Sequence, residues 1–402
     1  MKGLGFNQLE KLLQPCPAEE FLASSWGQSF RHVRGSAGRF APLLPWERLN
    51  TILEQHRLDF PRLRLVRDGK PLPASSYIRH VSNRRRKETI PRLLPEGFTK
   101  QLWQGATLVL DAVDELYQPL KELAQGLELF FREHVQINSY AGWHTSRGFD
   151  LHWDDHDVFI LQVAGRKRWM IYGMTRPFPL AEEKEAARKP EHQAIWDGTL
   201  EDGDLLYIPR GWWHVAVPLN EPTLHLTVGI HNRTGMDLLR WLTERMPASQ
   251  AFRQDLPRFA SERERAAHLK RLREELLNEW TDELLELYLD DCDAKAEPRT
   301  SFNLPWSAMT EALPPTGDAL LSLNAPRPLD FKIEGGVLEF ACLKKRWRFA
   351  ADARLVLGPL AERRICSLKE LCEEASQRLD EQTVRTFIKE LIAQGLVAVV
   401  TE

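Results

Sequence analysis

This sequence has little with which to cross-link itself, cross a membrane or project a field. Only 5 of its 402 residues are cysteine. Cys16, Cys292, Cys342, Cys366 and Cys372 are scattered, odd in number and never spaced C-x-x-C. That excludes a zinc-ribbon pattern and a disulfide scaffold, and fits a reducing compartment, so a cytoplasmic location is expected. No apolar run approaches the roughly 20 residues of a membrane span, and no membrane association is expected. The opening "MKGLGFNQLEKLLQ" is amphipathic and lacks the apolar core of a secretory signal. Charge of one sign is also lacking. Lys and Arg number 54 against 57 Asp and Glu, for a net charge of -3. There is no global basic field for capturing nucleic acid, and direct nucleic-acid binding is not expected. The short basic run "NRRRK", ending at Lys87, reads as a solvated loop.

What is present is ordinary globular material, 43% hydrophobic and 28% charged. The chain is too long for one ordinary core. Helical spacing marks "NQLEKLLQ", "PWERLNTILEQH" and "LYQPLKELAQGLELFFREH", and "RLRLVRDGKPL" and "ATLVLDAV" read as strands. From Val135 to His231 short β-type segments recur between Gly, Pro and Asp, which predicts a sandwich or barrel. A charged, partly helical insertion, "LAEEKEAARKPEHQAIW", interrupts it. After Gly235 three amphipathic helices are expected up to Lys295, serving either as a dimer interface or as a cap on the monomer. "LPPTGDALLSLNAPRP" reads as a linker. The tail carries strands, then two helices and a closing hairpin at "LVAVVTE", the order of a winged helix. The expected boundaries are 1–235, 236–325 and 326–402.

The chemistry concentrates in "LHWDDHD", residues 151–157, immediately before the buried strand "VFILQV". On an extended strand, His152 and Asp154 share a face. His156 is a poor third partner, because regular strand geometry would put it about 13 Å from His152. The third ligand must come from another strand, with His192, His214, His225 and His231 available. His214 has the best setting, on the strand returning from a Pro-Arg-Gly turn in "EDGDLLYIPRGWWHVAV". His152, Asp154 and His214 would form a 2-His-1-carboxylate set suited to non-haem Fe(II). In "AGRKRWMIYG", Lys167 alternates onto the face of Trp169 and Ile171. A lysine inside a barrel requires an anionic partner. The far carboxylate of a keto-dicarboxylate, chelated to the metal at its other end, would be that partner.

These segments, "FDLHWDDHDVFILQVAGRKRWMIYG", "GDLLYIPRGWWHVAV" and "LHLTVGI", resemble the JmjC, or cupin-like, 2-oxoglutarate oxygenases. The similarity is greatest to the ribosomal oxygenases, which hydroxylate ribosomal proteins. It implies a mainly β catalytic domain of double-stranded β-helix (jelly-roll) type with flanking helices, a helical middle region and an α+β winged-helix-like C-terminal domain. It implies Fe(II), with 2-oxoglutarate and O2 as cosubstrates, held by His152, Asp154, His214 and Lys167. By position, Asn138, Tyr140 and Thr227 would line the cosubstrate pocket, with His225 at its border or in the core. The implied partner is a protein substrate, a ribosomal protein being the leading instance. The rivals are a non-redox cupin-type metal enzyme and a ligand-binding regulator with a winged-helix tail. The wording "RGWWH" and the insertion before Asp197 depart from the bacterial ribosomal hydroxylases, which leaves the substrate open.

Overall fold

The structure, a computed structural model, describes residues 4–83, 88–180, 189–301 and 319–400, with a few single positions between them. The basic run Arg84–Lys87 and the middle of the charged insertion lie outside the described residues. The chain divides into two compact units, residues 1–232 and 233–402.

The first unit is built on strands β1 (Arg31–Val33), β2 (Leu63–Arg67), β3 (Lys70–Pro71), β4 (Ile78–Asn83), β5 (Glu88–Leu93), β6 (Thr107–Leu110), β7 (His134–Gly142), β8 (Asp157–Ala164), β9 (Lys167–Met174), β10 (Trp196–Leu200), β11 (Leu205–Ile208), β12 (Trp212–Pro218) and β13 (Thr223–His231). Eight of them form an antiparallel sheet in the order β1-β11-β8-β13-β7-β6-β2-β3. Three more form a smaller sheet, β10-β9-β12, and β4 pairs with β5 alone.

Strand alternation sorts the side chains between two cores. On β8, Phe159, Leu161 and Val163 enter a core shared with the flanking helices. Val158 and Ile160 point the other way, to Trp169 and Ile171 of the small sheet. Both faces of β8 are therefore covered, which is why it reads as a continuous apolar run. Each fully buried Leu, Val or Phe contributes about 1.5–3 kcal/mol.

The helix Gln118–Phe131 shows how the large sheet is covered. Leu120, Leu123, Ala124 and Leu127, at three- and four-residue spacing, are its buried stripe. Pro119 opens it within the first turn, and Arg132, at φ 56°, ends it in the left-handed region. It packs on the helix Leu4–Leu13 closely enough that a Cβ on Gly5 would lie 2.6 Å from the Phe130 amide nitrogen. Only glycine allows that approach.

The second unit begins with the helices Gly235–Arg245, Glu262–Glu279 and Leu284–Lys295. Trp241, Leu242, Met246, Leu284 and Tyr288 form their core. The strands β14 (Leu320–Leu323), β15 (Lys332–Glu334), β16 (Val337–Cys342), β17 (Lys345–Ala350), β18 (Ile365–Ser367) and β19 (Val397–Val400) follow. They form two three-stranded sheets, β18-β14-β19 and β15-β16-β17, and pack with the helices Arg354–Arg363, Leu368–Ala375 and Glu381–Ala393 around one apolar cluster.

Two expectations fail here. Residues 320–323 are not linker. They form the central strand of a sheet, with Leu321 fully buried, so the boundary expected at 325/326 falls just after a strand belonging to the C-terminal core. Among the described residues the tail also ends in no local hairpin: β19 pairs with β14, far back in the chain. Both misreadings have one cause. A four-residue strand flanked by Pro, Gly and Asn carries too few alternations to stand out, and its partners are non-local.

Candidate metal centre and cosubstrate cavity

A cavity of about 190 Å³ opens in the first unit, lined from both of its main sheets. Lys167 and Trp169 come from β9, His214 and Ala216 from β12, Ile160 from β8, His225 and Thr227 from β13, and Tyr140 from β7. Arg64, Thr107, Gly148 and Phe149 complete the wall with His152 and Asp154.

The segment bearing His152 and Asp154 is not the regular strand that i, i+2 alternation assumed. His152 makes a single isolated bridge to His214, and β8 begins only at Asp157. The segment is placed by docking instead. The His152 amide donates to the His214 carbonyl at 3.2 Å, and the His214 amide donates back at 2.8 Å. One turn further on, the Gly211 amide donates to the Asp154 carbonyl at 2.9 Å. Buried Asp157 anchors the Pro209-Arg210-Gly211 turn. Its Oδ1 accepts from Tyr207 Oη and from the Arg210 amide, each at 3.0 Å, and its Oδ2 accepts from Asn232. A bulge where β12 meets β9 passes over Tyr172 beside His214, a local twist that re-aims the side chain.

The donor atoms of His152, Asp154 and His214 all lie within 4.8 Å of one another. The Nδ1 of His152 lies 2.8 Å from the Asp150 carbonyl, and that of His214 lies 2.9 Å from the Trp212 carbonyl. A carbonyl can only accept, so both Nδ1 atoms carry a proton, and in the neutral imidazoles it is the Nε2 atoms that present lone pairs. Those lone pairs face the Asp154 carboxylate, at 4.0 Å from His152 and 3.5 Å from His214. Burial, and then His152, push the His214 pKa down to about 4, keeping it neutral at pH 7. Three acceptors thus converge with no donor among them. A cation is what relieves such a group, and imidazole with carboxylate suits a divalent transition ion. The backbone carbonyls that orient each imidazole are the usual outer support of a metal ligand.

Lys167 is buried, and desolvation lowers its pKa to about 7. Its Nζ lies 3.5 Å from His225 Nδ1 and sits over the Trp169 ring at 5.8 Å. No carboxylate is paired with it among the described ion pairs. His225 in turn stacks on Tyr140, with centroids 4.9 Å apart and planes within 6°. His225 is both buried and at the cavity wall, joining the two readings the sequence left open.

Tyr140 and Thr227 line the cavity, but Asn138 does not. Its Oδ1 accepts from the Ala112 amide at 2.9 Å and from Gln136 Nε2 at 3.0 Å. It supports Ala112, which is held at φ 50°. His192 is exposed near Tyr172. His156 and His231 stack on each other and are not among the three converging ligands. Sequence reasoning missed Arg64, Thr107 and Phe149. Arg64 is held by both Asp111 oxygens, at 2.8 and 2.7 Å. These residues lie on β2, on β6 and in the loop before His152, and nothing local in the sequence brings them to the site.

Residues 115–238 match the JmjC domain family. The chain is 30% identical over 235 residues to the bifunctional lysine-specific demethylase and histidyl-hydroxylase NO66 of Drosophila pseudoobscura pseudoobscura, covering 57% of this chain and 24% of that protein. The NO66 protein of Drosophila persimilis is likewise 30% identical, over 57% of this chain and 32% of its own length. The chain therefore spans a third or less of these curated relatives. Among solved structures, the ribosomal oxygenase YcfD from Escherichia coli in complex with cobalt and 2-oxoglutarate superposes with a TM-score of 0.57 at 17% identity, over 96% of this chain and 99% of that one. Its complex with cobalt and succinic acid gives 0.56 at 16% identity, over the same shares. The match to the JmjC domain family over residues 115–238 thus lies in a chain that has the fold of the ribosomal oxygenase YcfD.

Proposed function

We propose that this protein is an Fe(II)- and 2-oxoglutarate-dependent oxygenase that hydroxylates a side chain of another protein, with a ribosomal protein as the leading substrate. The observation that carries this reading is the convergence of two imidazole lone pairs and a carboxylate in a cavity that also holds a buried, carboxylate-free lysine.

His152 and His214, through Nε2, and Asp154 would hold the metal. When bound, Fe(II) with 2-oxoglutarate and O2 supplies the oxidising chemistry for a C–H bond. The chain's own groups bind and orient. Lys167 would meet the far carboxylate of 2-oxoglutarate, taking up a proton as the anion arrives, because burial otherwise favours its neutral form. His225 steadies the lysine from one side and is itself held by Tyr140 and Trp169. Thr227 offers a hydroxyl at the wall, while Ile160, Trp169 and Ala216 keep water from the buried end.

The names of the relatives, a histidyl-hydroxylase and a ribosomal oxygenase, support a protein substrate. So does the second unit, 233–402, which the iron chemistry does not require. The helix Glu262–Glu279 and the turn before it leave Phe259, Leu269 and Leu277 exposed, which supports pairing with a second copy. We read the C-terminal sheet and helices as a winged-helix-like docking module, and the protein as cytoplasmic. No helix among the described residues is long and apolar enough to cross a membrane.

The test is succinate release from 2-oxoglutarate that requires added Fe(II), followed by mass spectrometry of ribosomal proteins with and without the enzyme, seeking the gain of one oxygen. A non-redox cupin or a ligand-binding regulator would release no succinate. Equal oxygen content in both proteomes would remove the protein-substrate reading.

A further inference from the structure

Two residues of "LHWDDHD" are unused by the site above. Asp155 and His156 directly follow Asp154 yet turn to other partners. His156 Nδ1 lies 2.9 Å from Asp155 Oδ1, and its ring stacks on that of His231 with centroids 4.4 Å apart. The donor atoms of Asp155, His156 and His231 all lie within 4.8 Å of one another. His134 is the cross-strand partner of His231, and their rings are 5.9 Å apart.

The setting is built by β13. Alternation gives His225, Thr227, Gly229 and His231 one common face. The first two line the cavity, and the last two continue along the strand past it. The His156 ring sits over Gly229, where a Cβ would lie 2.8 Å from its Cδ2 and 2.9 Å from its Nε2. Glycine inside a strand weakens the strand, and often marks a close approach. Here the approach is the seating of an imidazole.

Two imidazoles and a carboxylate select a zinc-like divalent ion over magnesium or calcium, which prefer all-oxygen sets. Zinc bonds of about 2 Å bring ligand atoms to roughly 3.3 Å from one another. The spread seen here, within 4.8 Å, would have to close by rotation of the exposed His231 side chain.

We propose that Asp155, His156 and His231 form a second divalent-metal site, of zinc type, that ties the segment leaving Asp154 to the end of β13. Binding there is independent of the oxygenase reading. Only its consequence, a steadier Asp154, rests on that reading.

The experiment uses the full-length chain, stripped with a chelator, loaded with zinc and desalted before metal quantification. Wild type should retain two equivalents, His214→Ala one, His231→Gln one, and the double variant none. Zinc should raise the melting temperature of His214→Ala and leave that of the double variant unmoved. His231 is exposed, so its replacement leaves folding intact. Gly229→Ala, which displaces the His156 ring, should lose the same equivalent as His231→Gln. The proposal falls if the double variant keeps the zinc and the melting shift of His214→Ala, or if wild type retains a single equivalent that disappears with His214. Two equivalents surviving in His214→Ala, with one lost on adding His231→Gln, would support this site while removing His214 from the first.

Discussion

His152 and His214 exchange both of their backbone hydrogen bonds, at 3.2 and 2.8 Å, across an isolated bridge. Their imidazoles are 4.4 Å apart as a result. The spacing of the two imidazoles is thus set by main chain, and replacing either side chain should leave the bridge standing.

His152→Ala, Asp154→Ala and His214→Ala should therefore fold, and each should abolish metal-dependent binding of 2-oxoglutarate. Calorimetry with Mn(II) in place of iron reads this directly. His156→Ala should retain that binding. Full 2-oxoglutarate binding by His214→Ala would remove it from the metal site.

Lys167 gives a pH dependence of known sign. Its pKa is lowered to about 7 by burial, below the ordinary lysine value, so it is cationic below that pH and neutral above it. A dicarboxylate needs the cation, so affinity for 2-oxoglutarate should be full below pH 7 and fall about tenfold per unit as pH rises. The same lowering means the unfolded chain holds more protons between pH 7 and about 10.4, so this lysine destabilises the fold at neutral pH and less so as pH rises. Lys167→Arg should flatten the binding profile, since guanidinium does not titrate there. Lys167→Ala should weaken binding by two orders of magnitude or more, from the loss of about 3–5 kcal/mol. Equal dissociation constants at pH 6.5 and 8.5 for wild type would show the lysine to be unengaged.

The three segments that carry the site were legible in the sequence because each is a dense local pattern. His152, Asp154, His214 and Lys167 lie around one cavity, as do Tyr140 and Thr227. Alternation along a strand does not unite His152 and Asp154; the docking of an irregular segment onto β12 and the 209–211 turn does. Asn138 is not among the residues that line the cavity, since strand parity fixes a face and not a position along it. Arg64 was invisible because β2 reaches the cavity only through the order of the sheet.

Asp157 is the support that holds this docking together, with three donors on one buried carboxylate. Asp157→Ala would leave those donors unsatisfied, at about 1–3 kcal/mol each before relaxation. The melting temperature should drop, and metal affinity should fall about 10–100-fold, the usual effect of losing an outer support. An unchanged affinity in a protein that melts earlier would confine Asp157 to stability.

Leu321 tests the second unit separately. It is fully buried at the centre of the sheet β18-β14-β19, and Leu321→Ala should cost about 2–5 kcal/mol there. Substrate-free turnover of 2-oxoglutarate should persist while hydroxylation of a protein target declines. Equal loss of both activities would mean that the second unit supports the chemistry itself.

The bridge between His152 and His214 has a kinetic consequence. It closes a long loop that contains β8 through β11, and β8 itself pairs with β11 and β13 from well downstream. Contacts of such separation form late and slowly. A metal ion meeting the nascent chain would find His152 and Asp154 but not His214, so it cannot template the fold. Metal should neither accelerate refolding nor protect the early amides from hydrogen exchange. Its effect should appear only in the unfolding rate, as a brake on a structure already made.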